Sequence, residues 1–251
     1  MCLAALVLTA TAGTATATTS AKLFPLLAKN KKKAASKDSV VVSEYKKLTG
    51  KDSADFKNVA RVIKKDKSFY LEIPARLMGR TFLVVNRLQQ VPSELNEASA
   101  NRGLSYEEQC ITFEWLRKEK KMQIRQQRPT PEVAGTDAMA RSVADNYINP
   151  IIASLKVEAV APDSSTVLVK VDDLFNGKQT MINDVFNNIN LGTSANADLS
   201  RILDIKAFEN NITATSELTT TVREGMSKVN ITVVVSSTLA LLPECPMAGR
   251  L

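Results

Sequence analysis

The stretch that decides the fold spans residues 56–73 and reads FKNVARVI (56–63), KKDK (64–67) and SFYLEI (68–73). Apolar and polar residues alternate in part on both sides of the charged tetrad. This is the pattern of two half-buried strands joined by a turn. The stretch therefore predicts a β-hairpin.

The sequence after the hairpin also predicts mainly strands. Pro74 ends the second strand, and residues 75–78 are expected to form about one helical turn that Gly79 closes. TFLVV (81–85) is strongly apolar and predicts a central strand covered on both faces. Further strands are predicted over 109–116, 121–127, 151–160, 165–171, 202–208, 211–222 and 227–236.

Helical signals are few. Asp137 is a suitable N-cap and Pro150 a stop. Between them, Met139, Val143 and Tyr147 recur at four-residue spacing on one helix face. The sequence thus predicts a mainly β protein, an α+β chain with a few short helices. Two architectures stay open: a β-sandwich, or a large curved antiparallel sheet, either one preceded by a small hairpin domain.

Composition divides the chain into four segments. Residues 1–21 carry no charge and hold an apolar run followed by Ala15-Thr16-Ala17, which fits a signal-peptide cleavage site. No basic residue precedes the run, so a truncated signal peptide is expected, and with it export to the periplasm, the outer membrane or the medium. We expect a basic linker over 22–50, a small β-hairpin domain over 51–95 and a β-rich domain over 96–251.

The net charge of +7 is concentrated near the N-terminus. Residues 22–67 hold 14 Lys/Arg against 5 Asp/Glu, a net of +9, whereas residues 68–251 hold 19 basic and 21 acidic residues. The cluster between Lys29 and Lys37 is interpreted as a solvated leader segment, with contact to a membrane surface as the alternative. No aromatic residue lies between Phe24 and Tyr45, so no nucleic-acid partner is expected. No later stretch is long and apolar enough for a transmembrane helix.

The sequence contains no histidine. Histidine is the usual general base near neutral pH and the commonest metal ligand, so a Ser-His-Asp triad and a His-Glu-x-x-His zinc helix are excluded on this chain. An enzyme built from this chain would depend on carboxylates, lysines or tyrosines. With nine glycines and no phosphate-binding loop, a nucleotide site is not expected either.

Two sets of acids are candidate sites. Asp163, Asp172 and Asp173 offer oxygen ligands for calcium but lack the spacing of an EF-hand loop, and a strand-end turn explains them better. Glu72 and Glu114 are a candidate acid-base pair, although each lies on a strand where an outward charge is expected. Neither set is assigned, so no catalytic, cofactor-binding or metal-binding residue is predicted.

The cysteines give little evidence of a disulfide. Cys2 would leave with the signal peptide, and Cys110 and Cys245 are far apart in sequence. We interpret Cys110 as a small buried apolar residue. Whether it is bridged to Cys245 stays open.

Four stretches resemble the N-terminal region of large secreted bacterial zinc-dependent metalloproteases of the metzincin type. They are FYLEIPARLMGRTFLVVNR (69–87), VLVKVDDLF (167–175), REG (223–225) with the strand 229–235, and LLPECPM (241–247). The similarity spans about residues 40–250. It implies a β-rich domain of unknown function in which Pro74 and Gly79 shape a turn.

The resemblance also implies core positions for Leu77 and Phe82. The family's His-Glu-x-x-His-x-x-Gly-x-x-His motif has no counterpart in this sequence, so zinc is expected only in a catalytic domain absent from this chain. The expected function is a non-catalytic accessory or scaffold domain whose partner is that catalytic domain. The alternative is a stand-alone exported β-sandwich that binds glycan or peptide. A third hypothesis is a carboxylate-based hydrolase that depends on Glu72, Glu114, Asp172 or Asp173.

Overall fold

The computed structural model describes residues 44–50, 57–96, 100–129 and 138–244. Ten strands make up most of this part of the chain. They are β1 (Arg61–Lys65), β2 (Ser68–Pro74), β3 (Thr81–Gln90), β4 (Ser105–Leu116), β5 (Lys121–Gln127), β6 (Ile151–Val160), β7 (Thr166–Lys170), β8 (Arg201–Ala207), β9 (Asn211–Glu224) and β10 (Ser227–Leu241).

The helices are short. The described residues contain α1 (44–49), α2 (Ser93–Asn96), α3 (Ala138–Asn146), α4 (Asp172–Phe175), α5 (Val185–Asn188) and a 3-10 turn, Ala75–Leu77. The turn ends at Gly79, whose φ of +77° suits glycine. No helix in this part of the chain is long and apolar enough to cross a membrane.

All ten strands form one antiparallel sheet in the order β1-β2-β7-β6-β5-β4-β3-β10-β9-β8. The predicted hairpin is β1 paired with β2, in which Arg61 lies opposite Glu72. The mainly β fold class is confirmed, and of the two architectures the large curved sheet is found. Strands of both predicted β domains, 51–95 and 96–251, belong to it.

The sheet curls until its two edge strands approach each other. Just before β1, the backbone N–H of Val59 donates to the carbonyl oxygen of Phe208 at 2.9 Å, and Asn58 Nδ2 donates to the carbonyl of Ala207 at 2.8 Å. The sheet is therefore nearly closed and barrel-shaped. Its inner face forms a core that both ends of the strand order share.

The inner face carries the main apolar cluster. Phe82 and Phe113 pack edge to face, with ring centroids 5.2 Å apart. Leu77 belongs to the same cluster and is 1% exposed. Phe82 and Leu77 thus occupy the core positions that the resemblance implied. The prediction that β3 is covered on both faces is wrong: Phe82 and Val84 are buried, whereas Leu83 and Val85 on the outer face are partly exposed.

The segment between β7 and β8 fills the inside of the sheet. Phe175 of α4 joins the main cluster, and Phe186 of α5 belongs to a second one with Leu88, Leu218 and Val235. At Gly177, just after α4, the backbone lies very close to Ala195. A Cβ on Gly177 would lie 2.4 Å from the Cβ of Ala195.

Buried polar side chains join the inner faces of β3, β4 and β10 to this inserted segment. Ser237 donates to Asn86 Oδ1 at 2.6 Å, and Asn183 donates to Ser237 Oγ at 3.1 Å. Tyr106 donates to Asn183 Oδ1 at 2.9 Å, and burial raises its pKa. Asn86 also donates to the carbonyl of Ile182. Every member therefore has a partner, as a buried polar network requires.

The prediction that Cys110 is buried is wrong. Cys110 is a free thiol on β4 and is only partly buried, and it lies on the strand face opposite to the core residue Ile111.

Several predictions lie outside the described residues. These are the signal peptide over 1–21, the lysine cluster between Lys29 and Lys37, the N-cap at Asp137, and Cys245 with the end of the 241–247 motif. The predicted basic linker over 22–50 is described only from residue 44 onward, where it forms α1.

Candidate functional site

Glu72 is fully buried, although a charged residue that projects outward from a strand is ordinarily exposed. Its strand does alternate as predicted: Leu71 and Ile73 belong to the inner cluster, so Glu72 is on the outer face. However, α1 packs over that face. The fully buried ring of Tyr45 joins an outer cluster with Ala159 and Leu168.

Three side chains surround the Glu72 carboxylate. Tyr45 donates its hydroxyl to Oε1 at 2.5 Å, and Thr166 donates to the same oxygen at 2.8 Å. Arg61 Nη2 forms an ion pair with Oε2 at 2.5 Å, without the alignment of a good hydrogen bond. Burial and the bond to Glu72 raise the pKa of Tyr45. The cluster joins α1, β1, β2 and β7, and a paired, hydrogen-bonded charge of this kind fits a structural role.

Glu114 is not brought near Glu72. It lies on β4, and β7, β6 and β5 stand between it and β2 in the sheet order. It projects outward as predicted and forms an ion pair with Arg125 Nε at 2.6 Å, with its side chain 45% exposed. The two glutamates therefore do not form an acid-base pair.

Each of the three candidate calcium ligands has hydrogen-bond or ion-pair partners of its own. Asp163 precedes β7 and accepts hydrogen bonds from the backbone N–H and hydroxyl of Ser165, which lower its pKa. Asp172 follows β7, accepts the backbone N–H of Phe69 at 2.8 Å and pairs with Lys170.

Asp173, the third of these acids, pairs with Lys178 at 2.7 Å. The acids thus stabilise turns, as the alternative interpretation predicted. No group of three or more His, Cys, Asp or Glu residues suited to a metal ion occurs in the described part of the chain.

A groove of about 830 Å³ is the best candidate for a binding site, and we call it the basic groove. It lies between α1, the end of β6 and the β4–β5 turn. Five cationic side chains line it against two acidic ones, Glu44 and Glu158. The cations are Lys47, Lys65, Arg117, Lys120 and Lys156.

Trp115 is at the edge of the groove and is the chain's one tryptophan. Its ring packs partly against the inner core, and the guanidinium of Arg117 is 4.5 Å from the ring centroid. This cation–π contact fixes both side chains. Both also line a second groove of about 540 Å³ near Gly79 and Asn149.

Other groove cations already have partners. Lys156 pairs with Glu158 at 3.1 Å, and Lys65 donates to the backbone carbonyl of Lys47 at 3.2 Å. The side chains of Lys47 and Lys120 are exposed to solvent. The groove therefore presents positive charge to solvent from α1 and from the β4–β5 turn.

Two family models match the chain. Residues 103–251 match the model described as Domain of unknown function (DUF5117), and residues 42–91 match the one described as Domain of unknown function (DUF5118). The chain belongs to the DUF5117 family. Neither a curated protein nor a solved structure matches this DUF5117 protein. The two family matches carry no link to metalloproteases.

Both matched segments contribute to the basic groove of this DUF5117 protein. Lys47 and Lys65 come from the DUF5118 match, whereas Trp115, Lys120 and Lys156 come from the DUF5117 match. Sequence reasoning missed the groove. One signal was available: the chain's one tryptophan, Trp115, lies at the end of the predicted strand 109–116, close to the charged residues 117–120.

Proposed function

We propose that this chain is a non-catalytic accessory domain of an exported zinc-dependent metalloprotease, and that the catalytic domain is supplied from outside these 251 residues. One observation carries the non-catalytic part. The acids that a histidine-free enzyme would need are engaged in structural contacts: Glu72 with Tyr45 and Thr166, and Glu114 with Arg125.

The association with a metalloprotease rests on the sequence resemblance. The resembling stretches coincide with elements that build the sheet: residues 69–87 form β2, the turn and β3, and residues 229–235 lie in β10. These residues have roles in packing, which is what a scaffold domain of such a protein would retain. Export rests on the apolar N-terminal run.

A docking surface for the catalytic domain is proposed where α3 meets β6. Tyr147, Ile148 and Ile151 are 53%, 84% and 49% exposed, respectively. Large apolar side chains close together on a surface are typical of a contact with another protein.

The first test reads the coding DNA of the source genome on both sides of this frame. We expect a His-Glu-x-x-His-x-x-Gly-x-x-His region in frame or in an adjacent gene. That region, purified as a protein, should bind this chain in calorimetric titration. Absence of the region from the neighbourhood, or its failure to bind, would overturn the proposal.

A matched pair of variants tests the docking surface. Ile148→Asp should weaken binding of the catalytic domain at least about tenfold, because it places a charge in an apolar contact. Met226→Asp changes an even more exposed apolar residue at the tip of the β9–β10 hairpin and should leave binding unchanged. Equal effects of the two variants would remove this surface from the proposal.

The basic groove favours a second candidate function, a stand-alone exported module that binds glycan or peptide. Its core is filled and its one tryptophan lies in a concave site. A stop codon after Leu251 without a protease gene nearby, combined with ligand binding by the isolated chain, would favour this function over the first.

A further inference from the structure

We propose that the basic groove binds an extended polypeptide segment in which carboxylate side chains alternate with apolar ones. The charge of the groove carries the first step. Lys47 on α1, Lys120 on the β4–β5 turn and Lys156 on β6 line the groove from three separate elements and are exposed to solvent. Positive side chains in a concave surface raise the local concentration of an anionic partner and orient it.

Apolar residues on the groove lining carry the second step. Leu48 of α1, Val160 and Pro162 line the groove among the cations. An occupant with charged groups alone would leave this apolar surface unfilled. The lining therefore suits a ligand with apolar and anionic groups in turn.

The end of β6 offers an unpaired strand edge at the groove, which is the third argument for a peptide. β5 pairs with β6 only as far as Lys156, opposite Lys121. The last contact on this side is the hydrogen bond from the Val157 N–H to the Lys120 carbonyl. After it, the only strand that pairs with β6 in the described part of the chain is β7. An extended peptide can add to such an edge through its own backbone, with alternate side chains entering the groove.

These features favour a peptide over an acidic polysaccharide. A polysaccharide would satisfy the lysines but has no backbone amides for the β6 edge. Sugar rings bind by stacking on an aromatic face, and the guanidinium of Arg117 already covers a face of Trp115. The identity of the occupant does not depend on whether a metalloprotease domain is the partner of this chain.

The test uses the fluorescence of Trp115, the only tryptophan in the sequence. Trp115 lines the second groove as well as the basic groove, so variants of the basic groove's lysines are needed to assign the response. The probe is the synthetic hexapeptide acetyl-Glu-Val-Glu-Val-Glu-Val-amide, added to the full chain at low salt. We expect a saturable change in emission with a Kd of about 10–100 µM. Binding should weaken at least about tenfold at high salt, because exposed charges are then screened.

Three charge reversals locate the site. Lys47→Glu and Lys120→Glu should each weaken binding about tenfold, because each places a negative charge on a groove wall. Lys228→Glu makes the same change on the exposed β9–β10 hairpin and should stay within about twofold of the unaltered chain. Circular dichroism confirms that each variant is folded before it is titrated.

Several results would overturn the inference. One is the absence of an emission change up to about 1 mM peptide. Another is equal binding of the same peptide with Gln in place of Glu, and a third is an equal loss of affinity in all three variants. A saturable response to polygalacturonate without one to the peptide would assign the groove to an acidic glycan instead.

Discussion

Tyr45 and Glu72 meet on the outer face of the sheet, where the tyrosine hydroxyl donates to the carboxylate Oε1 at 2.5 Å. The two residues are 27 positions apart, and both are fully buried. Their contact holds α1 over the β1–β2–β7 edge and forms one wall of the basic groove. The groove therefore depends on a buried charge that sequence reasoning places in solvent.

Tyr45→Phe should destabilise the fold by about 1–2 kcal/mol, because the carboxylate loses a donor while the ring and its packing stay. Tyr147→Phe removes the same hydroxyl from a tyrosine that is 53% exposed and should cost less than about 0.5 kcal/mol. Urea unfolding followed by circular dichroism measures both. Equal costs would mean that the Tyr45–Glu72 bond contributes nothing to stability.

Glu72→Gln should be more damaging, at about 3 kcal/mol, because it leaves the positive charge of Arg61 without its partner in a largely buried position. Glu114→Gln breaks an ion pair of similar length on the surface and should cost about 0–1 kcal/mol. Chemical unfolding of the two variants compares them directly. A larger loss for Glu114→Gln would contradict the assignment of Glu72 as the structural charge.

Local sequence patterns were sufficient to locate all ten strands, since alternation shows which residues of a strand share a face. The family resemblance, rather than alternation, implied core positions for Leu77 and Phe82, and both are buried. Alternation does not show which outer faces are covered, so it does not show that Glu72 is buried. Its cover, Tyr45, lies in a segment whose composition predicts a linker.

Contacts between residues far apart in the chain could not be predicted, because local patterns carry no information about them. The approach of Val59 to Phe208, which nearly closes the sheet, joins residues about 150 positions apart without a local signal. The basic groove likewise joins Lys47, Lys120 and Lys156 from three separate elements. Each of these lysines alone has the sequence signature of an ordinary surface residue.

Glu107 predicts a pH dependence of stability. Burial, and to a smaller extent the charge of Asp184, raise its pKa, against a lowering by the backbone N–H of Asp184. The folded state therefore keeps this proton to a higher pH than the unfolded chain, where the glutamate pKa is about 4.3. Between the two pKa values the folded state binds more protons, so this residue's contribution to stability falls as the pH rises.

Glu107→Gln should remove this decrease in stability with rising pH. The free energy of unfolding of the variant, relative to the unaltered chain, should increase from about pH 4 to pH 7 in urea titrations. Glu108→Gln changes the exposed neighbour on the same strand and is the control. If the profiles of Glu107→Gln and the unaltered chain stay parallel across this range, the pKa of Glu107 is not raised in the folded protein.

Gly177→Ala should destabilise the protein by about 2–5 kcal/mol. Part of the cost, about 1–2 kcal/mol, arises because its φ of +84° is strained for any residue with a Cβ. The rest, about 1–3 kcal/mol, arises because the new Cβ would lie 2.4 Å from that of Ala195, inside the sheet. Gly225→Ala shares the positive φ but meets open space, so it isolates the first cost. Thermal unfolding should show the larger loss for Gly177→Ala, and equal losses would mean that the inserted segment is free to move away.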